Sequence, residues 1–267
     1  MARRIEDYLT DRGAACAGSP QRRKKSPGSP GYTDISHIPE NTQCIITLGG
    51  DGTLIQAARD LVNLQIPLIG INMGTLGYLT QVNREEAIGP VLDALLEDNF
   101  RLEKRMMLEG CISGPDGEKR GIALNDIVLT RHDVMQVLKF RVSVNDVFLN
   151  EYTADGMIAA TPTGSTAYNL SAGGPIVTPG AELMVLTPIC SHALNSSSIV
   201  LAYGDTVEIR LTGYTGRKQA VVFDGDQTLD INSSERLVIR RSDSYTTLIQ
   251  LKNISFLENL RDKMTRV

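Results

Sequence analysis

Residues 45–53 read I-I-T-L-G-G-D-G-T, an apolar run that ends in three glycines around one carboxylate. A strand that merely stops needs only a turn. Gly49, Gly50 and Gly52 instead let an anion approach the backbone N–H groups, and a following helix would add its positive end. A carboxylate inside such a loop repels phosphate, so Asp51 needs another task. It could take a proton from an attacking hydroxyl or face a metal ion, or Asp51 and Thr53 could simply cap the helix. No G-K-[ST] follows, so this is not a Walker loop, and the spacing is not G-x-G-x-x-G.

Three further stretches carry chemistry-bearing residues. Residues 70–79, G-I-N-M-G-T-L-G-Y-L, form a second glycine-rich segment after an apolar run. Two such loops at neighbouring strand ends can share one crevice. Asn125-Asp126 opens another strand-like run and is also a common turn pair. Between 153 and 176 the chain gathers Thr161, Thr163, Ser165, Thr166, Tyr168 and Ser171 among glycines and two prolines. A long segment without apolar periodicity that offers hydroxyls, open backbone and one stacking ring suits ligand recognition. His37, His132 and His192 stand in no triad or metal pattern, and the four cysteines are scattered without a C-x-x-C pair, so neither a zinc site nor a disulfide framework is expected.

The elements that must hold these residues alternate in the first third. Residues 5–12 read as a helix ending at Gly13, 44–49 as a buried strand, 52–64 as a helix, 66–72 as a second buried strand and 84–100 as a helix. That rhythm implies a parallel sheet with crossover helices. Beyond about residue 101 strand-like runs divided by turn signals predict a predominantly antiparallel β domain, with Asn145-Asp146 as a tight hairpin turn. Residues 17–31, rich in Pro, Gly, Ser and cations, read as an exposed loop.

The chain has 267 residues, 42% of them hydrophobic, and a net charge of −4. A real core is expected, broad nucleic-acid binding is disfavoured, and no apolar run is long enough to span a membrane as a helix. Lone cysteines and the charged N-terminus point to the cytoplasm.

Taken together, G-G-D-G-T, then G-I-N-x-G-x-L-G-Y-L, then N-D, then D-G-x4-T-P-T-G-S-T-A-Y-x-L-S-A-G-G-P resembles the NAD kinases, over roughly residues 45–264. G-G-D-G-T alone would mark only a kinase superfamily that includes diacylglycerol and sphingosine kinases. The T-P-T-G-S-T-A-Y segment is the specific part. The resemblance implies transfer of the γ-phosphoryl of ATP, or of polyphosphate, to the 2′-hydroxyl of the adenosine ribose of NAD, giving NADP. It implies Asp51 as the base and Gly49, Gly50, Gly52 and Thr53 as the phosphate loop. Asp51, Gly52, Gln56, Tyr78, Leu79, Asn125, Asp126, Asp155, Thr166, Ala167, Tyr168, Ser171 and Gln227 are the implied dinucleotide contacts. Mg²⁺ would be carried mainly by the ATP phosphates, without a dedicated set of protein ligands. A homo-oligomer, commonly a tetramer, is implied, with no nucleic-acid or membrane partner.

The implied fold is a Rossmann-like α/β domain over 1–100, a β-rich, sandwich-like domain over 101–250, and a C-terminal helix within 251–267 that returns to the first domain. Departures from the family pattern are Gln56 and Thr153, where many members carry a basic residue, and the first strand, which is apparently missing here. Without that strand the helix at 5–12 is expected to sit loosely. Alternative readings are a lipid kinase, which has no reason to carry T-P-T-G-S-T-A-Y, and a non-catalytic dinucleotide-binding protein.

Overall fold

The computed structural model describes residues 1–18, 33, 35–74, 77–80, 82–83, 88–132, 137–193, 196–213, 218–251 and 256–265. Most of the basic segment 17–31 lies outside them, as do 75–76 of the second glycine-rich stretch and 84–87 of the expected helix. The chain divides into two units, Met1–Lys104 with Tyr245–Val267, and Arg105–Ser244.

In the first unit α1 (Ala2–Thr10) places Ile5 and Leu9 one turn apart on one face, and both are buried. The helix does not sit loosely, because the Tyr8 hydroxyl donates to Asp93 Oδ1 at 2.8 Å and the two apolar residues join the unit's core. β1 (Ile45–Gly49), α2 (Asp51–Asp60), β2 (Leu68–Asn72), the short β3 (Val82–Asn83) and α3 (Ile88–Leu96) follow. β2 is buried at all five positions, as a parallel strand covered on both faces must be. It pairs in parallel with β1, with β3 and, at Leu68, with Leu248. Among the described residues β1 pairs with β2 alone.

The helix expected over 52–64 is shorter than its apolar pattern. α2 buries Leu54, Ala57 and Ala58, then gives way to a 3₁₀ turn at Val62–Leu64 that ends in left-handed Gln65, φ 54°. The parallel register matters most for function: Gly49 lies opposite Asn72. Both glycine-rich loops therefore leave from the carboxyl ends of adjacent strands, where open α/β sheets place ligands.

The second unit runs through β4 (Arg101–Gly114), which begins in the first, β5 (Gly117–Ala123), β6 (Asp126–Thr130), β7 (Leu138–Val144), β8 (Val147–Ala154) and β9 (Gly156–Ala160). The one-turn α4 (Tyr168–Ser171) precedes β10 (Leu183–Ile189), β11 (Ile199–Ala202), β12 (Val207–Leu211), β13 (Gln219–Phe223), β14 (Gln227–Ile231) and β15 (Arg236–Gln250). α5 (Phe256–Met264) closes the chain in the first unit. One antiparallel sheet has the order β11-β10-β9-β6-β13-β14, and β15, β12, β7 and β8 form a second antiparallel run. Phe140, Val142, Ile209 and Leu237 from the second run share a core with Ile127, Leu129, Met157 and Val221 from the first, which makes the unit a two-layer sandwich.

Asn145 and Asp146 turn the β7–β8 hairpin with φ 49° and 63°, the left-handed pair of a type I′ turn. At Asp155 the chain passes from β8 to β9, which belong to different sheets. Pro188 sits inside β10. Among the described residues no helix is long and apolar enough to cross a membrane.

Candidate active site

Asp51 opens α2, and its carboxylate reaches across to the loop after β2. Oδ2 accepts the N–H of Tyr78 at 2.6 Å, while Oδ1 accepts the N–H groups of Leu79 and Thr80 and the Thr80 hydroxyl at 3.0–3.2 Å. Three consecutive amides thus close on one carboxylate. Oδ1 is saturated, whereas Oδ2 keeps a lone pair. Gly77 makes this possible, because a Cβ there would overlap the Asp51 carboxylate.

The other loop glycines differ in purpose. A Cβ at Gly49 would strike the Thr53 side chain, so Gly49 seats Thr53 against the strand end. At Gly50 and Gly52 a Cβ would meet nothing within 4 Å. The first amides of α2 lack helical acceptors, and the open space over these two glycines lets an anion reach them. Gln56 lies farther along α2, half-buried. Leu79 is committed to the protein, with its side chain buried and its amide on Asp51. Tyr78 holds the ammonium of Lys263 over its ring, 3.8 Å from the centroid.

The second unit repeats the clasp. Asp224, left-handed at φ 50° in the β13–β14 turn, accepts the N–H of Leu124 at 2.9 Å on Oδ2. Its Oδ1 accepts the N–H groups of Asn125 and Asp126 at 2.7 and 3.1 Å. This fixes Asn125-Asp126 at the mouth of β6 and brings two carboxylates together. Asp126 is 4% exposed, and burial, reinforced by the Asp224 charge, raises its pKa to about 7. The Asn125 Oδ1 is shut from solvent with no hydrogen-bond partner among the described residues. A buried acceptor of that kind calls for a donor, from a ligand or an ordered water.

Residues 161–174 sort by burial into a scaffold and a face. Thr161 donates through its hydroxyl to the Leu124 carbonyl, and Gly164 lies so close to the Asn125 backbone that no Cβ fits. Ser165 bonds Pro162 and Val177, and buried Asn169 ties Ser165, Pro175 and Thr187 together. Thr166 and Ala167 are half-buried, while Tyr168 and Ser171 are exposed, Tyr168 by 46%. The expected ligand contacts are the outward set. Asp155 has a partner of its own, an ion pair with Arg131 at 2.9 Å, and Gln227 begins β14 opposite Phe223 beside the Asp224 turn. Sequence reasoning missed Asp224, Thr80, Asn169 and Lys263. A D-G turn after a strand was the visible signal for Asp224.

Among the described residues no group of three or more His, Cys, Asp or Glu side chains could hold a metal ion. All four cysteines are free thiols, and burial raises the pKa of Cys16, Cys44 and Cys111.

Residues 8–100 match the ATP-NAD kinase N-terminal domain and 124–251 the ATP-NAD kinase C-terminal domain. The NAD kinase of Lachnospira eligens is 42% identical over 98% of this chain and 94% of its own length. That of Agathobacter rectalis is 46% identical over 86% of this chain and 82% of its own. Among solved structures, an NAD kinase from Archaeoglobus fulgidus in complex with ATP superimposes with a TM-score of 0.79 at 26% identity, covering 99% of this chain and 94% of that one. Yeast NADH kinase complexed with NADH gives 0.78 at 26% identity, covering 85% and 69%. With both domain models matched in order across most of its length, the chain belongs to the NAD kinase family.

Proposed function

We propose that this chain transfers the γ-phosphoryl of ATP to the 2′-hydroxyl of the adenosine ribose of NAD, giving NADP. The observation that carries the reading is the Asp51 carboxylate, anchored through Oδ1 with a lone pair left on Oδ2, at a helix N-terminus with open space over Gly50 and Gly52. Names and bound ligands of the relatives support the substrates.

In the step itself, the ribose 2′-oxygen forms a bond to the γ-phosphorus and its proton passes to Asp51. The bond from that phosphorus to the β,γ-bridging oxygen breaks, and its electron pair leaves with ADP. Such a transfer depends on positioning and charge neutralisation more than on covalent chemistry. Gly49 and Thr53 shape the phosphate loop, and the amides at Gly50 and Gly52 meet the phosphates. Asn125 and Asp126 meet the polar groups of the dinucleotide, with Gln227 near the same end of β6, while Thr166, Ala167, Tyr168 and Ser171 present hydroxyls and a ring; Asp155, a further proposed contact, stands at the other end of that strand. In the first unit Gln56 and Tyr78 are the proposed contacts, and Leu79 serves as scaffold.

Divalent metal fits as a companion of ATP, since Asp51 has one lone pair to offer and, among the described residues, no carboxylate cluster stands beside it. Mg²⁺, the ion proposed, would supply charge neutralisation at the donor phosphates.

A cytoplasmic location is part of the same proposal. A homo-oligomer, as a tetramer, is supported by exposed Val147, Phe148 and Leu149 on β8, the end strand of its sheet. Light scattering on the purified protein tests the assembly.

The activity is tested by supplying NAD or NADH with ATP or polyphosphate and measuring NADP or NADPH. ATP with NAD is expected to give NADP. A pure, folded protein that makes no phosphorylated dinucleotide with either donor would overturn the reading and favour a binding protein.

A further inference from the structure

Arg261 and Lys263 lie two residues apart on α5 and meet different surroundings. Arg261 is exposed and pairs with neighbouring Asp262 at 3.4 Å. Lys263 is half-buried, its ammonium over the Tyr78 ring, and burial lowers its pKa while the negative charge of Asp51 opposes the shift. Among the described residues no ion pair holds Lys263, and Asp51 is already engaged by Tyr78, Leu79 and Thr80. A lysine drawn partly out of water gains modestly from an aromatic face, and surface pairing would have kept it solvated. The packing therefore turns a compact positive charge toward the surroundings of the carboxylate that opens the anion-receptive turn of α2.

We propose that Lys263 is a catalytic cation, its ammonium contacting the phosphoryl group in transit between ATP and the ribose hydroxyl. The inference rests on the phosphotransfer reading given above and adds a residue to it. As the 2′-oxygen bonds to phosphorus and the bridging oxygen departs with its electron pair, negative charge spreads over the peripheral oxygens. An ammonium held over the Tyr78 ring, whose backbone N–H is bonded to Asp51, stabilises that charge. Tyr78 serves as the rest for the side chain, and the Asp51 clasp fixes the Tyr78 backbone.

The test uses the full chain with ATP, NAD and Mg²⁺. Lys263→Met is expected to lower kcat about 10²-fold, the order found when one preorganised charge-stabilising donor is removed, while KM for NAD changes little. Lys263→Arg, which keeps the charge on a longer side chain, is expected to recover at least part of the loss. Lys263→Ala is run alongside so that a second neutral variant is available, and thermal melts identify the folded ones. Wild-type turnover with a kcat in the folded neutral variants within about twofold of it would overturn the proposal and leave the phosphotransfer reading intact. A raised KM for NAD at unchanged kcat would also overturn it, since that is ground-state binding. Absence of wild-type turnover would instead count against the underlying reading.

Discussion

Asp126 stands buried beside Asp224, whose own carboxylate closes on three consecutive amides including that of Asp126. The two acids do different work. Asp224 has N–H donors to balance its charge, while Asp126 meets a nearby negative charge and little water. The second unit therefore holds one acid anchored as an anion and another biased toward its neutral form.

This relationship predicts a pH dependence. An unfolded aspartate titrates near about 3.9, and burial and Asp224 raise Asp126 to about 7 in the native state. Between those values the folded protein keeps a proton that the unfolded chain has released, so stability falls as pH rises through the window. Above it, the full cost of a buried anion remains, roughly 2–4 kcal/mol. Asp126→Asn should remove that slope, so its melting temperature should gain on the wild type between pH 4 and 8. Parallel curves for the two proteins would refute the assignment.

Asp51→Asn should fail in two measurable ways. Loss of the proton acceptor is expected to lower kcat about 10²- to 10⁴-fold. The amide also replaces one carboxylate oxygen with a donor, so one side of the clasp loses its acceptor. Hydrogen exchange at Tyr78, Leu79 and Thr80 should quicken. Normal turnover would remove Asp51 from the chemistry, and unchanged exchange would remove it from the loop.

Gly77→Ala tests the clasp while leaving its carboxylate in place. The added methyl overlaps Asp51, so either the loop or the acid must move, at a cost of about 1–3 kcal/mol. Urea denaturation should show the destabilisation, and turnover should drop with it. A variant as stable and active as wild type would mean that the loop does not hold Asp51 in this way.

The segment 161–174 offers a matched pair. Tyr168→Ala removes an exposed ring and should weaken NAD binding by about 1–3 kcal/mol with little change in melting temperature. Asn169→Ala removes a buried amide that joins three partners. It should lower stability by about 2–4 kcal/mol. Calorimetric titration with NAD and thermal melts separate them. A stability loss at Tyr168 larger than that at Asn169 would reverse the division into face and scaffold.

How far the sequence can be read follows from the range of each interaction. The strand–helix–strand rhythm around G-G-D-G-T is local, and β1, α2 and β2 stand where periodicity puts them. The Asn145-Asp146 hairpin is local too. What the Asp51 carboxylate holds lies 27 to 29 residues away, and Asp224 meets amides 98 to 100 residues distant. No spacing rule reaches that far. The hydroxyls at 161–171 look alike in sequence, and only burial separates Ser165 from Ser171. Lys263 sits in a helix whose amphipathic pattern is legible, yet its neighbour Tyr78 is a matter of tertiary packing.

The open space above Gly52 has a consequence for natural variation. The residue lies in the first turn of α2, where alanine would fit without a clash and hold the helix better by a few tenths to about 1 kcal/mol. Folding alone would therefore favour the methyl group, and only an anion seeking the backbone beneath it would object. Gly52→Ala should melt higher and turn over more slowly than the wild type. At that position the protein is kept below its attainable robustness by what it must leave uncovered.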